Sequence, residues 1–463
     1  VQIAGERPSL KREGIMVGCL RHLLGTVLSV VVLSAATLGR GEDWPQWLGP
    51  GQAATWEAEA VIEQFPPQGL PPRWRVPVGL GYAGPAVADG KVFLFDYLLT
   101  SGEVSNNPGA RVSLEGEERL SCFSSRDGAL LWRQGYAAPY HISYPSGPRA
   151  TPTVDGDRVY TLGAEGRLCC RSVADGSLQW EVDLKEKYGV NSPMWGFSAA
   201  PVVDGERLYV MVGGDGHAVV ALHKQTGQEL WRALSAPDAG YSTPTVIEAG
   251  GTRQLIVWHP NAINGLNPES GEVYWSVDLK PDYGMSIMAP RYSDGLLFAS
   301  GIGNVGAALR LAADQPRADV LWRGTATTGV YCANSTPLIV DGILYGCDCR
   351  SGALLAVRLD TGERLWETLA PTVGGAGRRA GHGTAFLVRQ GDRCVLFSET
   401  GDLIFARLTP EKYEELSRMH LIDPTNECFG RPVVWSHPAF AEGCVFARND
   451  RELVCVSLRK GAP

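Results

Sequence analysis

Several short stretches of this 463-residue chain carry residue types and spacings that could support chemistry. Gly301-Ile302-Gly303-Asn304-Val305-Gly306 matches G-x-G-x-x-G, follows an apolar run and has Asp319 downstream. That pattern cradles a dinucleotide phosphate when a helix follows within a βαβ unit. Adjacent Cys169 and Cys170 form a vicinal dithiol. Cys347-Asp348-Cys349 brings two thiols close, but with no CxxC or histidine spacing it argues against a zinc site. The eight histidines are scattered, and no C-x-x-C-H sequence for covalent haem occurs. Asn334-Ser335-Thr336 fits a glycosylation acceptor. Each of these readings depends on the element that carries it.

Those elements come from a repeat of roughly 48 residues, a length typical of propeller blades. A small residue and Pro, an apolar run, Asp-Gly and a second apolar run recur as GPAVADGKVFLF from Gly84, TPTVDGDRVYTL from Thr151 and APVVDGERLYVM from Ala200. The phrase returns from Thr243, Ala289 and Thr336, with two worn copies from Thr384 and His437. The second half of each copy ends on a tryptophan: Trp132, Trp180, Trp231, Trp275, Trp322 and Trp366. Asp-Gly is the commonest two-residue hairpin signal, so each copy encodes four short strands, one blade of a β-propeller. The tryptophans form a structural girdle between blades. Eight starts predict eight blades, yet the last copy supplies only three strands. PPRWRVPVG, with Trp74 in the tryptophan position, is expected to complete it and close the ring, which removes open sheet edges. Seven blades stay open as the alternative count, because the seventh copy lacks its tryptophan. An extra loop is expected over about Thr100–Gly116.

Composition agrees. Gly 56 and Pro 30 are spread between apolar runs, as in a turn-rich all-β chain, and 20% charged residues exclude a coiled coil. A net charge of −8 argues against nucleic-acid or anionic-membrane binding. From Met16, Arg21 and His22 precede an apolar stretch, Leu23–Leu38, ending in small residues, the form of a signal peptide and too short for a spanning helix. The expected organisation is an upstream extension (1–15), a signal peptide (16–41), a surface strap (42–71) and a propeller (72–463), exported to the periplasm or cell surface as a monomer. Removing 1–41 leaves 37 basic and 48 acidic side chains, a net charge near −11, and ten cysteines with no implied connectivity.

The TG-x-x-LW phrases, with the preceding AP-x-V-x-DG-x-x-Y, resemble the PQQ-like β-propeller repeat over about 390 residues. Quinoprotein dehydrogenases and the lipoprotein propeller of the β-barrel assembly machine share that repeat. DWPQW at Asp43 resembles exported members from planctomycete-type bacteria. The resemblance implies the fold and leaves function open, since catalytic and non-catalytic propellers both use it. It also gives the vicinal cysteines a role to test, as the ring stacked on the quinone in some quinoprotein alcohol dehydrogenases. The register opposes that role. Cys170 lies five residues before Asp175 of the turn, as Cys122 does before Asp127, Ala221 before Thr226 and Ala356 before Thr361, so these cysteines fill a small buried third-strand position. The same register makes the G-x-G-x-x-G stretch a hairpin.

Ligands of this architecture sit where the loops entering the innermost strands gather around the axis. Those loops offer Tyr82, Tyr144 and Arg149, then Trp195, Tyr241 and Met288. Asn334, Arg379 and His382 follow, with Arg431 and Trp435 at the end. Arg149, Arg378, Arg379 and Arg431 are expected to make the mouth positive, with aromatic faces beside them and carboxylates further back. The bland reading is that these side chains plug the axis. The function expected is an exported, non-catalytic propeller that binds a protein, peptide or glycan, preferably acidic, and carries no cofactor. The alternative is a quinoprotein alcohol or sugar dehydrogenase using PQQ and Ca²⁺, for which no Asp base with a Glu/Asn calcium pair can be matched.

Overall fold

The computed structural model describes residues 43–373 and 379–461. The expected extension and signal peptide, and Arg378, lie outside them. Within them no helix is long and apolar enough to cross a membrane.

Eight antiparallel four-stranded blades form the fold, which decides the count in favour of eight. Blade one comprises Ala86–Ala88, Lys91–Ser101, Val112–Ser124 and Leu130–Ala137. Blades two to seven follow over 153–183, 202–233, 245–278, 291–323, 338–368 and 385–420. The eighth is composite: Ala439–Ala441, Cys444–Arg448 and Glu452–Ser457 are completed by Pro72–Pro77, which places Trp74 opposite Cys455. Asp89 and Gly90, Asp294 and Gly295, and Asp341 and Gly342 all have positive φ, as the hairpin turn between first and second strands requires. The extra length in blade one differs from expectation. It mostly prolongs two strands, leaving a loop of only 102–111.

A three-residue ladder crosses each blade. In blade three, Tyr209 pairs with Ala221 and Ala221 with Trp231. Phe93–Cys122–Trp132 and Tyr160–Cys170–Trp180 repeat the pattern in blades one and two. The small middle residue lets the two rings approach to about 6 Å between centroids, 5.7 Å for Tyr209 and Trp231. These three indoles then reach the next blade: Trp132 Nε1 donates to the Val173 carbonyl, Trp180 to Lys224 and Trp231 to Pro268. The turn glycine of that next blade lies flat on the indole. A Cβ on Gly227 would come within 2.7 Å of the Trp180 ring.

Blade seven inverts the ladder. Its third strand carries Phe405, and Ser417 stands in the tryptophan position opposite it. The missing ring comes from outside the blade, from Phe65.

The strap leaves the expected surface path over 43–56 and keeps it over 57–71, where only Val61 and Phe65 are buried. Trp44 pairs with Val87 of blade one, the Val154 amide of blade two donates to the Pro45 carbonyl, and Arg291 of blade five donates to the Gln52 and Ala53 carbonyls. Thr55 bridges to Arg389 of blade seven. All these partners lie on innermost strands, Val87, Val154 and Arg389 near the Asp-Gly-type turns that end them, so residues 43–56 cross the axis there and close it. Apolar content explains this: Trp44 and Trp56 are buried and pack on Phe440. The chain then passes blades eight and seven before entering the closing strand.

Candidate functional site

The opposite end of the axis is open. In the register of the repeat, the residue three before each conserved proline faces it: Tyr82, Arg149, Ser198, Tyr241, Ile287, Asn334 and Trp435. A deeper ring, one residue before the proline, is mostly small, so the strands can converge. There Thr243 Oγ1 accepts from the Ala200 amide at 3.0 Å, and Gly84 accommodates the His437 backbone. These rings enclose a cavity of about 770 Å³, a size that suits a small molecule or a few side chains. The worn blade seven contributes His382 instead, and Trp47 of the strap reaches in from below, 6.3 Å from His437 between ring centroids.

Of the eleven side chains expected at the mouth, eight line this cavity: Tyr82, Tyr144, Arg149, Trp195, Tyr241, Asn334, His382 and Trp435. Three do not. Met288 is buried behind the wall, where its sulfur accepts from the amide and hydroxyl of Ser300. Arg379 is 73% exposed and faces Glu367. Arg431 pairs with Glu399 at 2.8 Å, and the same buried carboxylate accepts from Trp435 Nε1 at 2.9 Å.

Sequence reasoning missed Trp47, Phe386, Phe429 and Tyr283. Phe429 tips a small hairpin, Asn426–Cys428 with Arg431–Val433, that leans over the mouth and stacks on His382 at 4.7 Å. Loop 102–111 meets that hairpin from the other side, where Asn106 donates to Asn426 and to the Glu427 carbonyl. Counting back from each proline would have found Ser198 and Ile287. No comparable signal marks the four aromatics.

The electrostatics are simpler than the expected positive field. Arg149 lies over the Tyr82 ring at 5.3 Å and donates to the carbonyls of Ser143, Tyr144 and Gly147. Burial lowers its pKa below the usual arginine value. Burial pushes His437 down to about 4 and lowers His382 as well, helped there by Arg431, so both imidazoles are neutral at pH 7. Burial raises the Tyr144 hydroxyl to about 12. Among the described residues no Asp or Glu lines the cavity, and Arg149 is their one cation among aromatic walls.

Ring closure, interblade tryptophans and an axial cavity define a propeller of the PQQ-like repeat class. The chain matches the family described as outer membrane protein assembly factor BamB over residues 116–368 and 259–463, and it belongs to that family. BamB from Moraxella catarrhalis is similar in structure, at 13% identity over 85% of this chain and 99% of that one, with a TM-score of 0.54. The quinohemoprotein alcohol dehydrogenase from Comamonas testosteroni is 12% identical over 91% of this chain and 81% of its own, TM-score 0.55. A second quinohemoprotein alcohol dehydrogenase, from Pseudomonas putida, is 14% identical with the same coverage and a TM-score of 0.54. At these identities the likeness is one of fold. No curated protein matches the sequence.

The residues of the cavity do not fit PQQ with Ca²⁺. That pair needs a carboxylate base and hard oxygen ligands. The described residues supply no carboxylate to the lining and hold no cluster of three or more His, Cys, Asp or Glu able to bind a metal. Cys169 and Cys170 are fully buried in the third strand of blade two, where Cys170 sits opposite Trp180. The G-x-G-x-x-G stretch is the hairpin between Leu296–Gly301 and Val305–Leu311.

Proposed function

We propose that this chain is an exported, non-catalytic binding propeller that receives a protein partner at its axial mouth, as a monomeric scaffold of the outer-membrane assembly type. One observation carries the reading. Entry loops from all eight blades build a single aromatic cavity whose described lining holds no carboxylate and no hard ligand set. Such a site can bind by burial and stacking, and burial makes its two imidazoles, His382 and His437, weak proton acceptors. Family membership supports a partner that is itself a protein. The mostly apolar surface of the lining favours a peptide segment with apolar side chains over a glycan. Export rests on the signal-peptide form of 16–41.

Titrating the purified protein with PQQ and Ca²⁺, while following quinone absorbance and dye reduction, tests the non-catalytic part. The expected result is neither binding nor reduction. Dye reduction that depends on both additions overturns the reading. Fusing 16–41 to a reporter active only outside the cytoplasm tests export.

A further inference from the structure

One residue breaks the small ring that lets the innermost strands converge. The register position before the repeat proline is Gly, Ala or Thr in seven copies, from Gly84 to Thr384, and His437 in the eighth. Strand convergence asks for no imidazole there. Gly84, in the next copy around the axis, makes room for it, because a Cβ at that glycine would run into the His437 carbonyl. Trp47 and Phe386 pack on the imidazole, 6.3 and 4.9 Å away between centroids.

His437 is 8% exposed and lines the cavity. Its Nδ1 lies 3.1 Å from the Pro438 carbonyl, which can only accept, so Nδ1 carries the proton. Burial keeps the imidazole neutral at pH 7, and a neutral imidazole bonded in this way presents Nε2 as a bare lone pair. No group among the described residues donates to that nitrogen. The unpartnered hydroxyl of Tyr144 is closed inside the wall, whereas Nε2 opens on the cavity.

The lone pair selects what can approach it. A carboxylate brings only acceptors and would meet it lone pair to lone pair. A lysine or arginine brings donors, but its charge would find Arg149 and no carboxylate in the described lining. A short hydroxyl such as serine would leave the aromatic walls of the ring above, Tyr82, Tyr241 and Trp435, uncovered. Tyrosine meets every condition, with a flat apolar body and a neutral donor at its far end. Tryptophan carries its N–H at the flank.

We propose that the cavity takes a tyrosine side chain of the partner's peptide segment, its ring among the aromatic walls and its hydroxyl donating to His437 Nε2. This rests on the binding reading above and names the anchor residue that reading leaves open. It replaces the expected acidic ligand with a neutral donor.

The probe is the capped peptide acetyl-Gly-Leu-Tyr-Leu-Gly-amide, titrated by calorimetry beside its Phe and O-methyltyrosine counterparts and free para-cresol. The Tyr peptide should bind about three- to tenfold more tightly than the Phe peptide, the range of one net hydrogen bond. The O-methyl peptide keeps the oxygen and loses the proton, so it should gain nothing over Phe. His437→Leu should bring the Tyr and Phe affinities together, and His437→Gln, which returns an acceptor, should restore part of the preference. Equal affinity of the Tyr peptide and either counterpart overturns this inference while the binding reading survives. A Tyr preference that persists in His437→Leu overturns the role of His437. Para-cresol binding more tightly than the Tyr peptide makes the ligand a free phenol and overturns the peptide. Failure of all three peptides to bind overturns the inference and counts against the binding reading itself.

Discussion

Phe65 of the strap stacks on Phe405 of blade seven, with centroids 4.3 Å apart and planes 19° from parallel, while its amide donates to Ser417 Oγ at 2.8 Å. Ser417 holds the register position that a tryptophan holds in the other seven blades. A residue some 340 positions earlier in the chain thus supplies the ring that this repeat lost, and Arg393 covers the other side of Phe405 at 3.9 Å. Phe65→Ala should cost about 3 kcal/mol, near the lower end for large aromatic deletions in a core. Trp231→Ala, in an intact ladder, should cost ~3–5 kcal/mol. Urea unfolding measures both. A loss under about 1 kcal/mol for Phe65→Ala, small beside core deletions, would show that the strap ring is not structural.

Gly227→Ala tests the glycine that lies on Trp180. Its φ of 70° strains any side chain by about 1–2 kcal/mol. The added Cβ also meets the indole at 2.7 Å, so the loss should exceed that strain alone. Gly205→Ala is the control, with a φ of 58° and nothing within 4 Å of its Cβ. It should show only the strain, and the difference between the variants isolates the tryptophan contact.

Removing residues 43–78 should abolish cooperative unfolding or sharply lower its midpoint. The deletion opens the edge of Glu452–Ser457 and strips Trp44, Trp56, Phe65 and Trp74 from a core cluster, uncovering Phe405, Phe440 and Phe446. An unchanged midpoint by calorimetry would contradict ring closure as the source of stability.

Stability should fall as the medium is acidified from about pH 6.5 toward pH 4. Burial depresses His437 and His259 to about 4, whereas the unfolded chain protonates them near 6.5. Through that window the unfolded state binds protons that the fold excludes, so their contribution is complete above it and shrinks on descent. His420, raised by Asp402 and Asp423, has the opposite sign, but it is half exposed and its effect is screened. Urea midpoints at pH 7.5 and 4.5 should converge in His437→Gln relative to the parent protein.

The blades, the girdle and the closing strand were legible because each copy repeats one local code: Asp-Gly for the first turn, a small third-strand residue, a glycine turn, a tryptophan. The entry-loop side chains followed from that register. What stayed hidden depended on contacts between copies. Glu399 neutralises Arg431 across loops of different blades, and nothing near either residue announces it. Phe429 sits on an insertion outside the repeat, and Trp47 reaches the cavity only because its segment crosses the axis. The strap was expected at the surface because a lone run such as DWPQW shows no periodicity to say what it covers.

Arg75 of the closing strand bonds Glu452 across a sequence separation of 377 residues. Loop-closure entropy grows with the logarithm of separation, so that pairing costs about 3 kcal/mol more than closing a ten-residue hairpin. It also cannot begin before the final strand has been synthesised. High contact order of this kind makes folding slow, and every earlier intermediate is an open arc with two unsatisfied sheet edges. Under the proposed export, in which the chain would cross a membrane unfolded, such delay is useful: the ring can lock only when the final strand has arrived on the same side as the closing strand.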